Sequence, residues 1–234
     1  MPLKLSVIIP AYNEEKTIAT LIENVQKVTL KKSIKKEIIV VDDFSTDGTR
    51  KILLGLKGSN LKIFFHQKNQ GKGTAIRTGL KHVTGDIILI QDADLEYNPS
   101  EYGKLLRPII EDNKNVVYGT RLEYIKHNVK NMNRLHFIGN LFLTYITNLF
   151  YNTNITDMET GYKVFRKEVI DKIKLKAKRF DFEPEITAKI LKKGYKICEV
   201  PITFKARKFD EGKKITWRDG IKALFYLIKY RFIN

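Results

Sequence analysis

A single cysteine, Cys198, stands among the 234 residues, so neither an internal disulfide framework nor a cysteine-rich zinc site can form, and a reducing compartment is the simpler expectation. Acidic residues are scarce: 26 Asp and Glu face 43 Lys and Arg, a formal net charge of +17. That excess suits acidic partners, whether nucleic acid, anionic lipid or phosphorylated small molecules. With only 6 Pro and 14 Gly and no low-complexity tract, collagen-like, linker and disordered-tail architectures are excluded. Long apolar runs are missing too. The most apolar stretch, residues 137–151, is interrupted by Asn140, Thr144, Thr147 and Asn148 and falls short of the about 20 apolar residues that span a bilayer. Residues 1–9 lack the charged-then-apolar order of a signal peptide and run straight into a strand pattern, so no such leader is expected.

What is present is a core-forming α/β pattern, with 43% hydrophobic residues. Short β-branched runs at 5–9, 37–41, 61–65, 86–90 and 115–118 predict strands, and helical spacing over 15–28, 47–56, 73–82 and 99–111 predicts helices between most of them. Strands joined by helices must cross over, so the sheet should be largely parallel, with ligands at the carboxyl ends of its strands. Further along, the pattern predicts helices over 134–151 and 183–193, an extended piece at 162–165, strands at 196–200 and 202–205, and a terminal helix over 217–232. Neither a linker nor an internal repeat divides the chain. Residues 1–234 are therefore read as one domain, in which 1–120 form a nucleotide-type sheet and 121–234 complete a site.

The strongest local signal is Asp92-Ala93-Asp94, directly after the apolar strand 87–90. In extended chain, residues two apart point the same way, so both carboxylates can converge on one hard cation, Mg²⁺ or Mn²⁺ carrying a diphosphate, with Glu96 as a third oxygen donor. Otherwise the segment is a solvated acidic turn before Pro99. A second pair, Asp42-Asp43, closes the strand at 37–41 and leads into Ser45-Thr46-Asp47-Gly48-Thr49, where a carboxylate can read a base or ribose. The first strand ends in Pro10-Ala11-Tyr12-Asn13-Glu14; there Tyr12 can flank a base and Glu14 can accept from it, or the segment merely starts a helix. Three polar strand ends together point to a nucleotide at the sheet edge. Gly71-Lys72-Gly73 lacks the third glycine of a dinucleotide fingerprint, and no P-loop motif occurs. His66, His82, His127 and His136 show no ligand spacing and receive no catalytic role.

The segments V-I-I-P-A-Y-N-E-E, V-V-D-D-F-S-T-D-G-T, N-Q-G-K-G-T-A-I-R-T-G and Q-D-A-D-L-E follow one another in this order. They continue with Gly119-Thr120-Arg121, the run from Asp157 to Arg166, Phe182-Glu183-Pro184-Glu185, Glu199-Val200-Pro201, Arg207 and Lys213. Over nearly its full length the chain resembles a family 2 glycosyltransferase of the GT-A fold, in the polyprenyl-phosphate (dolichol-phosphate mannose synthase-like) branch. That resemblance implies an inverting, metal-dependent transfer of a hexose from a nucleotide-diphosphate sugar to a polyprenyl phosphate. Pro10, Tyr12, Glu14, Val41 and Asp43 then hold the donor's nucleoside, Ala93 lies beside it, and Asp92, Asp94 and Glu96 bind the metal. Arg207 and Lys213 match a basic loop that steadies the leaving diphosphate, although the loop reads Arg207-Lys208-Phe209-Asp210-Glu211-Gly212-Lys213 where the family has R-x-x-G-E-S-K. Arg134 is implied to grip the acceptor phosphate with Arg121 assisting, and Ile138 stands where a serine is common one turn later. Asp157 is implied to face the acceptor, as general base for a hydroxyl or as an orienting group for a phosphate. Catalytic weight thus falls on Asp94, Asp157 and Arg207.

Two helices bear on location. In the terminal one, Trp217, Ile221, Leu224, Phe225, Ile228 and Phe232 follow helical spacing opposite Arg218, Lys222 and Lys229. Such a helix packs on a core or lies on an anionic membrane, and peripheral attachment to the cytoplasmic face is the expectation drawn here. Transfer to a saccharide hydroxyl is the rival reading. A nucleic-acid-binding module is more distant, because the basic residues are scattered and no RNP, helix-turn-helix or zinc signature accompanies them. A nucleotidyltransferase lacks its Gly/Arg/Lys-rich phosphate loop near the first strand.

Overall fold

The computed structural model describes residues 3–31, 34–127, 134–206 and 217–233, with the backbone alone at 126–127, 134–136 and 217–219. The first half alternates strands and helices: β1 (Leu3–Ala11), α1 (Ile18–Lys27), β2 (Ile34–Asp42), α2 (Thr49–Gly55), β3 (Leu61–Phe65), α3 (Lys72–Leu80) and β4 (Ile87–Ile90). A 3₁₀ turn (Pro99–Glu101) leads into α4 (Tyr102–Ile110), then β5 (Val116–Thr120) and the short α5 (Leu122–His127). There follow α6 (Arg134–Tyr151), β6 (Lys163–Arg166), α7 (Lys167–Asp171), α8 (Phe182–Lys192), β7 (Ile197–Pro201) and α9 (Trp217–Phe232).

The strands form one seven-stranded sheet in the order β3-β2-β1-β4-β6-β5-β7. All neighbours are parallel except β6, which runs against both β4 and β5. Because β6 is reversed, its entry loop, residues 157–162, lies at the same edge as the carboxyl ends of β1, β2 and β4. Side chains alternate across a strand, and both faces of this sheet are covered, so β4 and the Val7–Ile9 run of β1 are apolar on both sides. Along β1, Leu5, Val7 and Ile9 enter a core shared with Leu21, Val25, Leu105 and Ile109 of α1 and α4, while Ile8 turns to the opposite core with Ile76, Ile186 and Ile190 of α3 and α8. The same division separates Ile87 and Leu89 from Ile88 and Ile90 on β4. A smaller cluster, Leu143, Ile155, Met158, Ala223 and Leu227, seats α9 on α6.

Two expectations need correction. Residues 202–205 are not a strand: Ile202 and Phe204 are buried as alternation requires, but Ile202 N–H donates to the Thr120 carbonyl, Lys205 N–H to that of Glu96, and Thr203 N–H to the Glu101 carboxylate, with no strand ladder among them. Alternation records which side meets the core, and here no partner strand lies alongside. Helices α5 and α7 lie where no helix was predicted, because six and five residues are too short to display a 3.6-residue period.

Candidate active site

Three adjacent strands, β2, β1 and β4, are each followed by a non-glycine residue with positive φ: Phe44 (63°), Asn13 (52°) and Leu95 (60°). For Phe and Leu this left-handed conformation costs about 1–2 kcal/mol, a strain that clusters at functional sites. Here it folds three loops over one sheet edge. Two of them clasp each other: Thr46 N–H donates to Asn13 Oδ1 at 2.8 Å, Asn13 N–H to Ser45 Oγ at 3.0 Å and Gly48 N–H to Glu15 Oε2 at 2.7 Å.

On this edge Pro10 pairs in register with Val41, and Tyr12 and Glu14 follow β1. Glu14 is buried; its carboxylate accepts from Thr17 Oγ1 at 2.9 Å and its N–H donates to Thr49 Oγ1 at 2.8 Å, so it also anchors the start of α1. Asp43 is buried beneath the loop before α3. It accepts from Gln70 N–H at 2.9 Å and Gly71 N–H at 2.6 Å, and its Oδ1 lies 2.7 Å from Nδ1 of His66. His66, expected to have no catalytic role, braces Asp43 here. Gly71 is required at its position: φ is +92°, and a Cβ would fall 2.4 Å from the Lys178 carbonyl.

That turn delivers Lys72, which stands within the N-Q-G-K-G segment but was given no role from the sequence. Its Nζ stands 2.8 Å from Asp92 Oδ1 and 2.8 Å from Glu183 Oε1. Burial works to lower the Lys72 pKa, but Asp92 and then Glu183 outweigh it and raise it well above the ordinary value. Asp94 Oδ1 accepts from Glu96 N–H at 3.2 Å, and Ala93 is buried between the two aspartates. Among the described residues no three His, Cys, Asp or Glu side chains gather as a ready-made metal cage. The donor set still fits Mg²⁺ or Mn²⁺, which are commonly held by one or two carboxylates with the remaining positions taken by water and phosphate oxygens. The Asp92 carboxylate lies directly against Gly161, where a Cβ would fall 2.2 Å from Asp92 Oδ2, so glycine is required for the aspartate to keep this position. Gly161 N–H is fixed by donating to the Tyr97 hydroxyl at 2.8 Å.

Opposite lies the 157–162 loop. Asp157 is buried and bound on both oxygens: Arg121 Nε and Nη2 each lie at 2.7 Å, Arg121 N–H at 3.0 Å and Asn140 Nδ2 of α6 at 2.9 Å. Burial alone would raise the Asp157 carboxyl, but the Arg121 guanidinium overcomes it and holds it below the usual carboxylate range. A carboxylate so engaged is a poor proton acceptor. Glu159 contrasts with it, because among the described residues its Oε1 is buried without a hydrogen-bond partner, and burial, with Glu183 nearby, raises its carboxyl to about 7. Lys163, on β6 next to this loop, is buried against the Met158 and Thr160 carbonyls, and burial lowers its ammonium to about 8.

A pH test follows. With its folded pKa raised, Glu159 is neutral in both states below about 4.5, whereas between 4.5 and about 7 only the unfolded chain releases the proton, so stability is lost across that window. Glu159→Gln should therefore be more stable than the parent at pH 8, by on the order of 2 kcal/mol, and equal to it near pH 4.5. Thermal melts at the two pH values measure this, and a constant difference would contradict it.

Arg134 opens α6, but its side chain, like all of Arg207 and Lys213, lies outside the described residues. Sequence spacing could not have revealed the Lys72–Glu183 pair, whose members are 111 residues apart.

A sheet of this order with one reversed strand, carboxylates on adjacent strand ends and a second-half loop closing over them, is the GT-A architecture of glycosyltransferases. The chain belongs to glycosyl transferase family 2, whose family model matches residues 6–174. It is 33% identical to an uncharacterized protein of Methanocaldococcus jannaschii, over 96% of this chain and 91% of that one. It is also 33% identical to a UDP-N-acetylglucosamine–dolichyl-phosphate N-acetylglucosaminyltransferase of Methanococcus voltae, over 95% and 94%. Among solved structures, the UDP complex of glucosyl-3-phosphoglycerate synthase from Mycobacterium tuberculosis superposes with a TM-score of 0.76 at 17% identity, covering 99% of this chain and 81% of that one. A second complex of that synthase, holding Mn²⁺, UDP and phosphoglyceric acid, gives 0.72 at 19% identity, over 99% and 80%.

Proposed function

We propose that this enzyme transfers a hexose from a nucleotide-diphosphate sugar to a polyprenyl phosphate, with inversion, at the cytoplasmic face of a membrane to which it binds peripherally. The observation that carries the acceptor class is the engagement of Asp157 by Arg121 and Asn140. A saccharide hydroxyl needs a base to remove its proton, and Asp157, the candidate for that task, is held ionised and fully bonded. A phosphate oxygen is already charged near neutral pH and needs orientation more than deprotonation. The acceptor oxygen forms a bond to the anomeric carbon as the bond from that carbon to the diphosphate breaks on the opposite side, and the nucleoside diphosphate leaves.

In this reading Pro10, Tyr12, Glu14, Val41 and Asp43 serve the nucleoside and Arg121 assists at the acceptor phosphate, while the roles expected of Arg207 and Lys213 at the diphosphate and of Arg134 at the acceptor fall on side chains outside the described residues. Asp92 and Asp94 would hold Mg²⁺ or Mn²⁺, which when bound neutralises charge developing on the leaving diphosphate. The relative from Methanococcus voltae and the UDP complexes make UDP-N-acetylglucosamine and UDP-glucose the first donors to try.

Membrane attachment is supported by two helices packed side by side. On α6, Ile138, Leu141, Phe142, Tyr145 and Leu149 are exposed at helical spacing, and on α9 so are Ile221, Phe225, Ile228 and Phe232. Contiguous apolar surface of this kind marks an interaction site, and the chain's excess of cations favours anionic headgroups. No described helix is long and apolar enough to cross a membrane. Since Asn140 of α6 touches Asp157, the exposed face begins beside the acceptor loop.

Purified enzyme given a labelled nucleotide sugar, Mn²⁺ and anionic vesicles should make an organic-extractable, acid-labile product only when polyprenyl phosphate is present. Label appearing solely in a water-soluble saccharide would replace the lipid acceptor with a hydroxyl one.

A further inference from the structure

We infer that Lys72 is a stand-in cation for Asp92, a positioning residue that occupies this carboxylate in the free protein and makes binding of the divalent ion depend on the nucleotide. The inference rests on the assignment of Asp92 to the metal in the proposed function. Its own basis is the three-membered chain Asp92–Lys72–Glu183, in which one ammonium is 2.8 Å from an oxygen of each carboxylate. All three side chains are largely withdrawn from water, at 17%, 18% and 6% exposure respectively, so the contacts are far less screened than surface pairs.

The arrangement has two consequences. A divalent ion approaching Asp92 alone must displace an ammonium already bonded there, which weakens its binding to the empty enzyme. A donor diphosphate brings at least two negative charges to the same spot and offsets that repulsion, so ion and nucleotide enter as a unit. Glu183 is what makes the exchange feasible. When Asp92 turns to the ion, Lys72 keeps a one-to-one pairing with Glu183 and is not left as a buried unpaired charge, which would cost several kcal/mol. Among the described residues Glu183 Oε2 is buried without a hydrogen-bond partner, leaving it an acceptor site for an ammonium that shifts off Asp92. Just after Lys72, Gly73 N–H and Thr74 N–H donate to the Arg179 and Lys178 carbonyls and hold the backbone from which Lys72 projects.

Mn²⁺ binding to the full chain, read from the free-ion electron paramagnetic resonance signal with and without UDP, tests this independently of turnover. Without UDP, Lys72→Met should bind Mn²⁺ about tenfold more tightly than the parent, and UDP should then improve binding much less than it does in the parent. Lys72→Arg, which keeps the cation, should stay near the parent. Glu183→Gln should move the other way, several-fold weaker without UDP, because Lys72 then has Asp92 as its remaining carboxylate. Opposite shifts in these two variants cannot arise from general damage to the fold, which would weaken both. Unchanged or weaker Mn²⁺ binding in Lys72→Met would overturn the inference while leaving the metal assignment intact. If the parent bound no Mn²⁺ even with UDP, both would fall, and transfer that persists in chelator would identify the metal assignment as the one at fault.

Discussion

Asp94→Asn is expected to slow sugar transfer by about 10³-fold or more, roughly 4 kcal/mol of transition-state stabilisation, with the melting temperature within a few degrees of the parent. The substitution keeps an oxygen able to accept from Glu96 N–H, so the turn after β4 survives. What it removes is a negative charge that the proposed function assigns to the divalent ion. Asp92→Asn is a less clean experiment, since it also dissolves the Lys72 pair and frees a largely buried ammonium from half of its compensation. Rates of nucleoside diphosphate release across a Mn²⁺ titration, beside thermal melts, measure both effects. If Asp94→Asn kept a rate within tenfold of the parent at saturating Mn²⁺, Asp94 would lose its place at the metal.

The architecture was readable because the central strands are buried on both faces. Continuous apolar runs such as 87–90 mark a strand covered on both faces, and β1, β2 and β4 each contain such a run with an acidic residue at or shortly after the carboxyl end. Strand direction left no such mark. The run at β6 is four residues long, and its alternation is the same whether it is read parallel or antiparallel, so the reversal that brings the 157–162 loop to the donor edge is visible only in the pairing. The candidate site was legible in the same unequal way. Asp92, Asp94, Asp43 and Asp157 announce themselves as carboxylates at strand or loop ends. The pairings that decide what each carboxylate can do left no mark, because Lys72 meets Asp92, Asn140 meets Asp157, His66 meets Asp43 and Glu183 meets Lys72 only through the fold. Asp157 illustrates the consequence: its position in the sequence suits a base, and its four hydrogen bonds suit a scaffold.

Arg121→Met should therefore cost about 3–5 kcal/mol, the usual penalty for leaving one member of a buried pair charged and alone, and lower the melting temperature by roughly 6–20 °C. Asp157 stays buried when its partner is removed, and only Asn140 and one backbone N–H remain to bond it. Asp157→Asn should cost less, because an amide leaves no unpaired anion and Arg121 still lies against the Phe204 ring, 5.1 Å from its centroid. Combining Arg121→Met with Asp157→Leu removes both charges and should regain much of the loss, since apolar replacement of a buried pair is often neutral. The sign with pH is equally definite. Asp157 has a folded pKa below its ordinary value of 3.8, so its contribution is present above that pH and vanishes as pH falls through the lower, folded value. The gap between parent and Asp157→Asn should thus be constant from pH 5 to 8 and close in stronger acid. A gap that instead grew on acidification would mean that Asp157 is the protonated partner, and the ionised, Arg121-bound carboxylate on which the phosphate-acceptor reading depends would have to be given up.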